Sequence, residues 1–201
     1  ETMAATAHGL VVTSATLRDG TGDEAHDWAA ADTRTGARHL GGVAHRVAVA
    51  SPFDYPAQTR IFVVTDVDGR NPDRLAAAYR ALFLASTGGA LGLFTAISRL
   101  RAVHERLAPA MDGADIPLLA QHVDGYDVST LVDIFRAEPH SCLLGTDAIR
   151  DGVDVPGEAL RLIVFDKVPW PRPDILHKAR RAAFGARVYD DMLTRLRLKQ
   201  A

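Results

Sequence analysis

Leu143 to Gly157 read L-L-G-T-D-A-I-R-D-G-V-D-V-P-G. An apolar run closes on Gly145-Thr146-Asp147, a short turn follows, and Gly152-Val153-Asp154 sets a carboxylate beside flexible backbone before Pro156-Gly157 breaks the chain. At the carboxyl end of a parallel strand, backbone N–H groups and small side chains face a crevice that accepts anions. Thr146 can donate its hydroxyl to a phosphate oxygen, Gly152 lets a ligand approach the backbone, and Asp154 can accept from ribose hydroxyls. The plainer reading is a strand-to-helix turn with Asp147 as N-cap. The rest of the chain decides between them.

Outward from this run, short apolar segments alternate with longer amphipathic ones. Strands are expected at Leu10–Ser14, Arg46–Ala50, Arg60–Val64, Ala90–Phe94, Leu118–Gln121, Cys142–Gly145 and Arg161–Phe165. Helices are expected at Pro72–Ser86, Ile97–Leu107, Val128–Glu138 and Pro173–Arg197, the last broken near Gly185. Pro72 after Asn71, with Gly88-Gly89 beyond the other end, is sound capping chemistry. The Gly-, Asp- and Thr-rich stretch Asp19–Gly42 reads as a connector, with room for a helix at Glu24–Thr33. Strands separated by helices of ten or more residues predict βαβ units, an α/β fold with a mainly parallel sheet.

The 201 residues, 47% hydrophobic and 24% charged, suffice for one sizeable α/β core. A single cysteine, Cys142, rules out a disulfide framework or a four-cysteine metal cluster. The eight histidines show no metal-ligand spacing. With no apolar stretch of about 20 residues and no signal-peptide pattern, the chain reads as cytoplasmic. From Arg161 to Ala201 there are ten Lys or Arg against four Asp, leaving thirteen against twenty-one in the first 160 residues. Arg172, Lys178, Arg180, Arg181, Arg187, Arg195, Arg197 and Lys199 read as residues of helical stretches. They form either a solvated face or an anion-facing surface for nucleic acid.

Three more strings align with the opening run. Val11 to Leu17 read V-V-T-S-A-T-L, Ser51 to Tyr55 read S-P-F-D-Y, and Gly92 to Ala96 read G-L-F-T-A. In this order and spacing the chain resembles superfamily 2 helicases, and more closely their DinG and XPD-like branch. The resemblance covers roughly the whole sequence. It implies a RecA-like three-layer sandwich, a mainly parallel sheet flanked by helices. It implies that residues 1–20 end a first helicase domain, 21–45 connect, and 46–201 form a second RecA-like domain that stops inside a sixth motif, Q-x-x-G-R-x-x-R, at Leu198-Lys199-Gln200-Ala201.

The resemblance also implies roles. Thr146 and Thr95 would meet the phosphates of single-stranded DNA, with Arg99 and Arg101 following as candidate phosphate ligands or exposed helix residues. Gly152, Asp154 and Gln200 would approach nucleotide, and Ser14 and Thr16 would couple nucleotide state to DNA grip. Asp151 stands where the family usually has Glu, and Ala96 where it often has Ser. The parent would use ATP with Mg²⁺, the metal held by the first domain. It would move 5′ to 3′ in DNA repair or replication, and it could carry an iron–sulfur cluster outside this chain. The implied partners are single-stranded DNA and the first RecA-like domain of the same chain, with no membrane. Neither a G-x-x-x-x-G-K-[ST] loop nor an Asp-Glu-x-His box is present, so the 201 residues alone are expected not to hydrolyse ATP.

Aromatic residues beside prolines, Phe53, Tyr55 and Trp170, are either stacking platforms for bases or loop anchors. Two other classes stay open. Thr65-Asp66-Val67-Asp68-Gly69 resembles the D-x-D-G opening of haloacid dehalogenase-like phosphatases, with Asp66 as nucleophile and Asp68 as general acid and base, although Arg70 departs from that pattern. The third is a non-catalytic α/β interaction module.

Overall fold

The computed structural model of the chain describes residues 7–42, 44–150 and 154–200. Four short strands are β1 (Ala90–Leu93), β2 (Leu118–Ala120), β3 (Cys142–Gly145) and β4 (Leu162–Phe165), all parallel, in the order β2-β3-β1-β4. The helices are α1 (Glu24–Thr35), α2 (Tyr55–Gln58), α3 (Pro72–Ala85), α4 (Ile97–Asp112), α5 (Val128–Ala137), α6 (Asp147–Arg150), α7 (Ile175–Phe184) and α8 (Ala186–Gln200). Single 3-10 turns lie at Ala37–His39 and Gly157–Ala159.

The central strands are apolar at consecutive positions because both sheet faces are covered. Ala90, Cys142 and Leu144 point to one face, where α3 brings Leu75, Tyr79 and Phe83 and α4 brings Leu100, Val103 and Leu107. Leu91, Leu93 and Leu143 point to the other, against Leu131, Val132 and Phe135 of α5. The alternation of elements predicts this parallel α/β sheet, and the resemblance implies its three-layer sandwich.

Local chemistry sets most helix starts. Asn71 accepts from the N–H groups of Asp73 and Arg74 at the head of α3, Asp127 from Thr130 at α5, and Asp174 from His177 at α7. The α4 helix outruns its expected end at Leu107 and reaches Asp112 despite Pro109. Its buried stripe Leu100, Val103, Leu107 and Met111 continues through that turn. The final helical stretch begins at Ile175 rather than Pro173 and breaks at Gly185, whose φ of 88° suits glycine.

Three expected strands did not form. Leu10–Ser14, Arg46–Ala50 and Arg60–Val64 have no regular secondary structure; among the described residues none has a ladder partner, and their apolar side chains are exposed, Val49 by 89% and Ile61 by 87%. Alternation makes a segment strand-competent; a neighbouring strand must still satisfy its backbone. The connector is more structured than expected. Its segment before α1 is tied to α8 by the Asp19–Arg195 ion pair at 2.6 Å, and to α1 itself by the buried carboxylate of Asp27, which accepts from Gly20 N, Thr21 N and the Thr21 hydroxyl.

Candidate functional site

The connection leaving β1 runs through α4, on one face, out to β2. The connection leaving β3 passes Ile149 and Ala159, on the opposite face, to β4 on the other side of β1. Two neighbouring strands whose connections diverge leave a crevice beyond their carboxyl ends, where open α/β sheets bind ligands. Leu93 of β1 pairs in register with Gly145 of β3, so Thr95 and Thr146 arrive together at this crevice.

A cleft of about 410 Å³ opens there, with Thr95, Ala96, Thr146 and Asp147 on its floor. Arg172, Asp174 and Arg197 complete the wall from the β4–α7 loop and α8. Arg172 donates to the Thr95 carbonyl at 3.0 Å, and Arg197 to the carbonyls of Pro169 and Trp170 at 3.1 and 3.2 Å. Neither guanidinium meets a carboxylate among the described residues. Asp147 pairs with the buried Arg150 at 2.9 Å, and Asp174 is spent on capping α7.

Sequence reasoning missed two organising residues. Gln121, buried just beyond β2, accepts both the N–H and the hydroxyl of Thr146 through Oε1, each at 2.9 Å. The hydroxyl proton that was expected to serve a phosphate therefore rests on Gln121. Asp166, whose side chain is 0% exposed at the end of β4, accepts from Thr95 N at 3.2 Å and from Arg99 Nε at 2.6 Å. Arg99 also donates to the Gly69 carbonyl at 2.8 Å and is 22% exposed. Its guanidinium is turned to Asp166 rather than to the cleft lining. Gln121 was expected as a strand end, and its polar side chain after an apolar run was the available signal; nothing in the sequence marked Asp166.

Of the remaining candidates, Arg101 donates to the His122 carbonyl on the surface. Asp154 is exposed, and its carbonyl accepts from Arg136 at 2.8 Å. Gly152, with Asp151, lies outside the described residues, as does the side chain of Gln200. Ser14 and Thr16 contact each other at 3.3 Å, and the Thr16 and Leu17 carbonyls accept from Arg34. Asp147 opens α6 rather than capping it. Cys142 is buried in β3, and burial pushes its thiol up to about 12. Phe53 and Tyr55 form an exposed ring pair 6.0 Å apart. Asp66 and Asp68 occupy a surface turn leading to α3 rather than a sheet-strand end; Asp68 caps Arg70 N at 3.0 Å, an interaction that holds its carboxyl below the usual range. Arg172 belongs to a loop, which corrects its expected place on a helix.

A parallel sheet sandwiched by helices, with paired hydroxyls and arginines at its switch point, has the architecture of a RecA-like motor domain. Residues 80–201 match the helicase C-terminal domain family, and the chain belongs to that family. It is 34% identical over 152 residues to the ATP-dependent helicase DinG of Mycobacterium tuberculosis, covering 73% of this chain and 22% of the relative. It is 29% identical over 140 residues to a Bacillus subtilis protein named 3′-5′ exonuclease DinG, covering 66% of this chain and 15% of that one. Against the ATP-dependent DNA helicase YoaA of Escherichia coli, identity is 29% over 135 residues, 65% of this chain and 20% of the relative. The chain thus spans at most about a fifth of these relatives' length.

Proposed function

We propose that the chain is the second motor domain of an ATP-dependent DNA helicase of the DinG type, and that the cleft beyond β1 and β3 holds the backbone of single-stranded DNA. The convergence of Thr95 and Thr146 at the switch point carries this reading. A phosphate oxygen only accepts hydrogen bonds, so the Thr146 hydroxyl would rotate off Gln121 to donate, while its N–H stays on Gln121 and keeps the loop in place. Asp166 fixes the Thr95 backbone in the same way from the β4 side.

For nucleotide, the exposed Asp154 fits one edge contact, to a ribose hydroxyl; Gly152 and Gln200 are proposed as further nucleotide contacts. ATP binding and hydrolysis supply the driving free energy of such motors. Among the described residues no group of three His, Cys, Asp or Glu could hold a metal; in this reading Mg²⁺ belongs to the first domain. The division at 1–20, 21–45 and 46–201, the first RecA-like domain as partner, 5′-to-3′ movement, a repair or replication role and a cytoplasmic setting belong to this reading. No described helix is long and apolar enough to cross a membrane.

The test is fluorescence anisotropy of a labelled single-stranded oligonucleotide titrated with the chain at several salt concentrations. Salt-sensitive binding that weakens in Thr146→Ala is expected. Absence of binding, or binding indifferent to Thr146→Ala, sinks the assignment of the cleft. Mg²⁺-dependent phosphatase activity lost in Asp66→Asn would instead favour the dehalogenase-like reading.

A further inference from the structure

Residues 168 to 174 read Val-Pro-Trp-Pro-Arg-Pro-Asp, with a proline at every second position. Each proline fixes its own φ near −65° and presses the residue before it into extended conformation, so Val168, Trp170 and Arg172 are restricted as well. Two tight turns tighten the segment further, Trp170 N donating to Val168 O at 2.8 Å and Asp174 N to Arg172 O at 2.9 Å. Both ends are anchored. Arg197 of α8 holds the Pro169 and Trp170 carbonyls, and Arg172 reaches across to the Thr95 carbonyl at the end of β1.

Tryptophan is highly buried on average, yet Trp170 is 55% exposed while the other tryptophan, Trp28, is buried. Two positions on, Arg172 lines the cleft with no carboxylate partner among the described residues. A guanidinium has five N–H donors, and among the described residues Arg172 makes one bond, to Thr95. The chemistry matches one nucleotide unit: a flat apolar ring for a base and a forked cation for the adjoining phosphate. Little ordering entropy remains to be lost on binding, because the prolines have already removed it.

We infer that the Val168–Asp174 loop is a single-strand contact element in which Trp170 stacks on an unpaired base and Arg172 binds the neighbouring phosphate, with Arg197 bracing the loop. The inference rests on the proposed DNA-binding cleft and adds to it a base-contacting residue. Stacking ignores base identity, so the element grips without reading sequence.

Both tryptophans emit, but only Trp170 is exposed to a ligand, so a quench on binding that is lost in Trp170→Phe reports on Trp170. An oligothymidylate of about 15 nucleotides, on the scale of single-strand sites, is titrated into the full chain while binding is followed in parallel by anisotropy. Binding should quench the emission of the wild type, and Trp170→Phe should bind with little loss but without the quench. Trp170→Ala should bind about 5- to 100-fold more weakly. Arg172→Ala should lower the slope of log affinity against log salt by about 0.7, the single-strand value for one phosphate contact, and Arg172→Lys should restore most of it. Circular-dichroism melts confirm that each variant is folded. Salt-sensitive binding with unchanged emission and with unaltered Trp170→Ala and Arg172→Ala affinities overturns this inference and leaves the cleft assignment standing. A wild-type chain that shows no binding overturns both.

Discussion

Asp166 and Arg99 make a pair whose two halves should respond very differently to removal. The Asp166 side chain is fully buried and has two donors, Arg99 Nε at 2.6 Å and Thr95 N at 3.2 Å, whereas Arg99 is partly exposed and keeps the Gly69 carbonyl as a second partner. Arg99→Met strands a buried carboxylate with one neutral N–H, which costs about 3–5 kcal/mol. Asp166→Asn removes the charge but leaves an amide oxygen for Thr95 N, and the guanidinium retains Gly69 and water, so about 1–3 kcal/mol is expected. The double variant has no stranded charge and should lie near Asp166→Asn, well short of the sum. Urea unfolding followed by circular dichroism gives the three values, with shifts of midpoint at constant slope as the sign of a stability change. If Arg99→Met costs no more than Asp166→Asn, or the two changes add to within about 0.5 kcal/mol, the pair does not hold the β1 and β4 ends as argued.

Two other perturbations probe local features. A Cβ on Gly88 would lie 1.9 Å from the His140 carbonyl oxygen at a φ of +82°, so Gly88→Ala should cost more than the roughly 1–2 kcal/mol of a left-handed alanine; Gly125→Ala, with nothing within 4 Å, should leave the thermal midpoint nearly unchanged. Burial raises the Asp27 carboxyl, but the Thr21 N–H, the Thr21 hydroxyl and the Gly20 N–H outweigh it and hold it below the usual range. Its stabilisation is therefore present above the unfolded carboxylate value of about 3.9 and is lost as pH falls through the lower folded one. The stability gap between wild type and Asp27→Asn should close below about pH 4, and a gap that stays constant from neutral to acid contradicts the cap geometry.

Much of the fold was legible because its signals are local. The strand Cys142–Gly145 was expected at its observed bounds, and α3 and α5 within one residue, since apolar runs, Asn71 and Asp127 act within a few residues of themselves. The segments at Leu10–Ser14, Arg46–Ala50 and Arg60–Val64 carry equally apolar patterns, but a ladder depends on a neighbour that pattern does not supply. The site divided along the same line. Thr95 and Thr146 could be picked out as hydroxyls after strands, and the structure brings them together in one cleft.

What surrounds them was decided by the tertiary fold. Gln121 stands 25 positions from Thr146 and Asp166 71 positions from Thr95, and only the strand order β2-β3-β1-β4 makes them neighbours. The same order carries Arg172 from β4's loop to β1's carbonyl and directs Arg99 to a buried carboxylate. By itself the sequence determined element type, caps and the family resemblance, because these depend on period and on residues a few places apart. Which hydroxyl proton is already committed, and which arginine still has donors to offer, was settled by packing, because hydrogen bonds are allotted by distance in space.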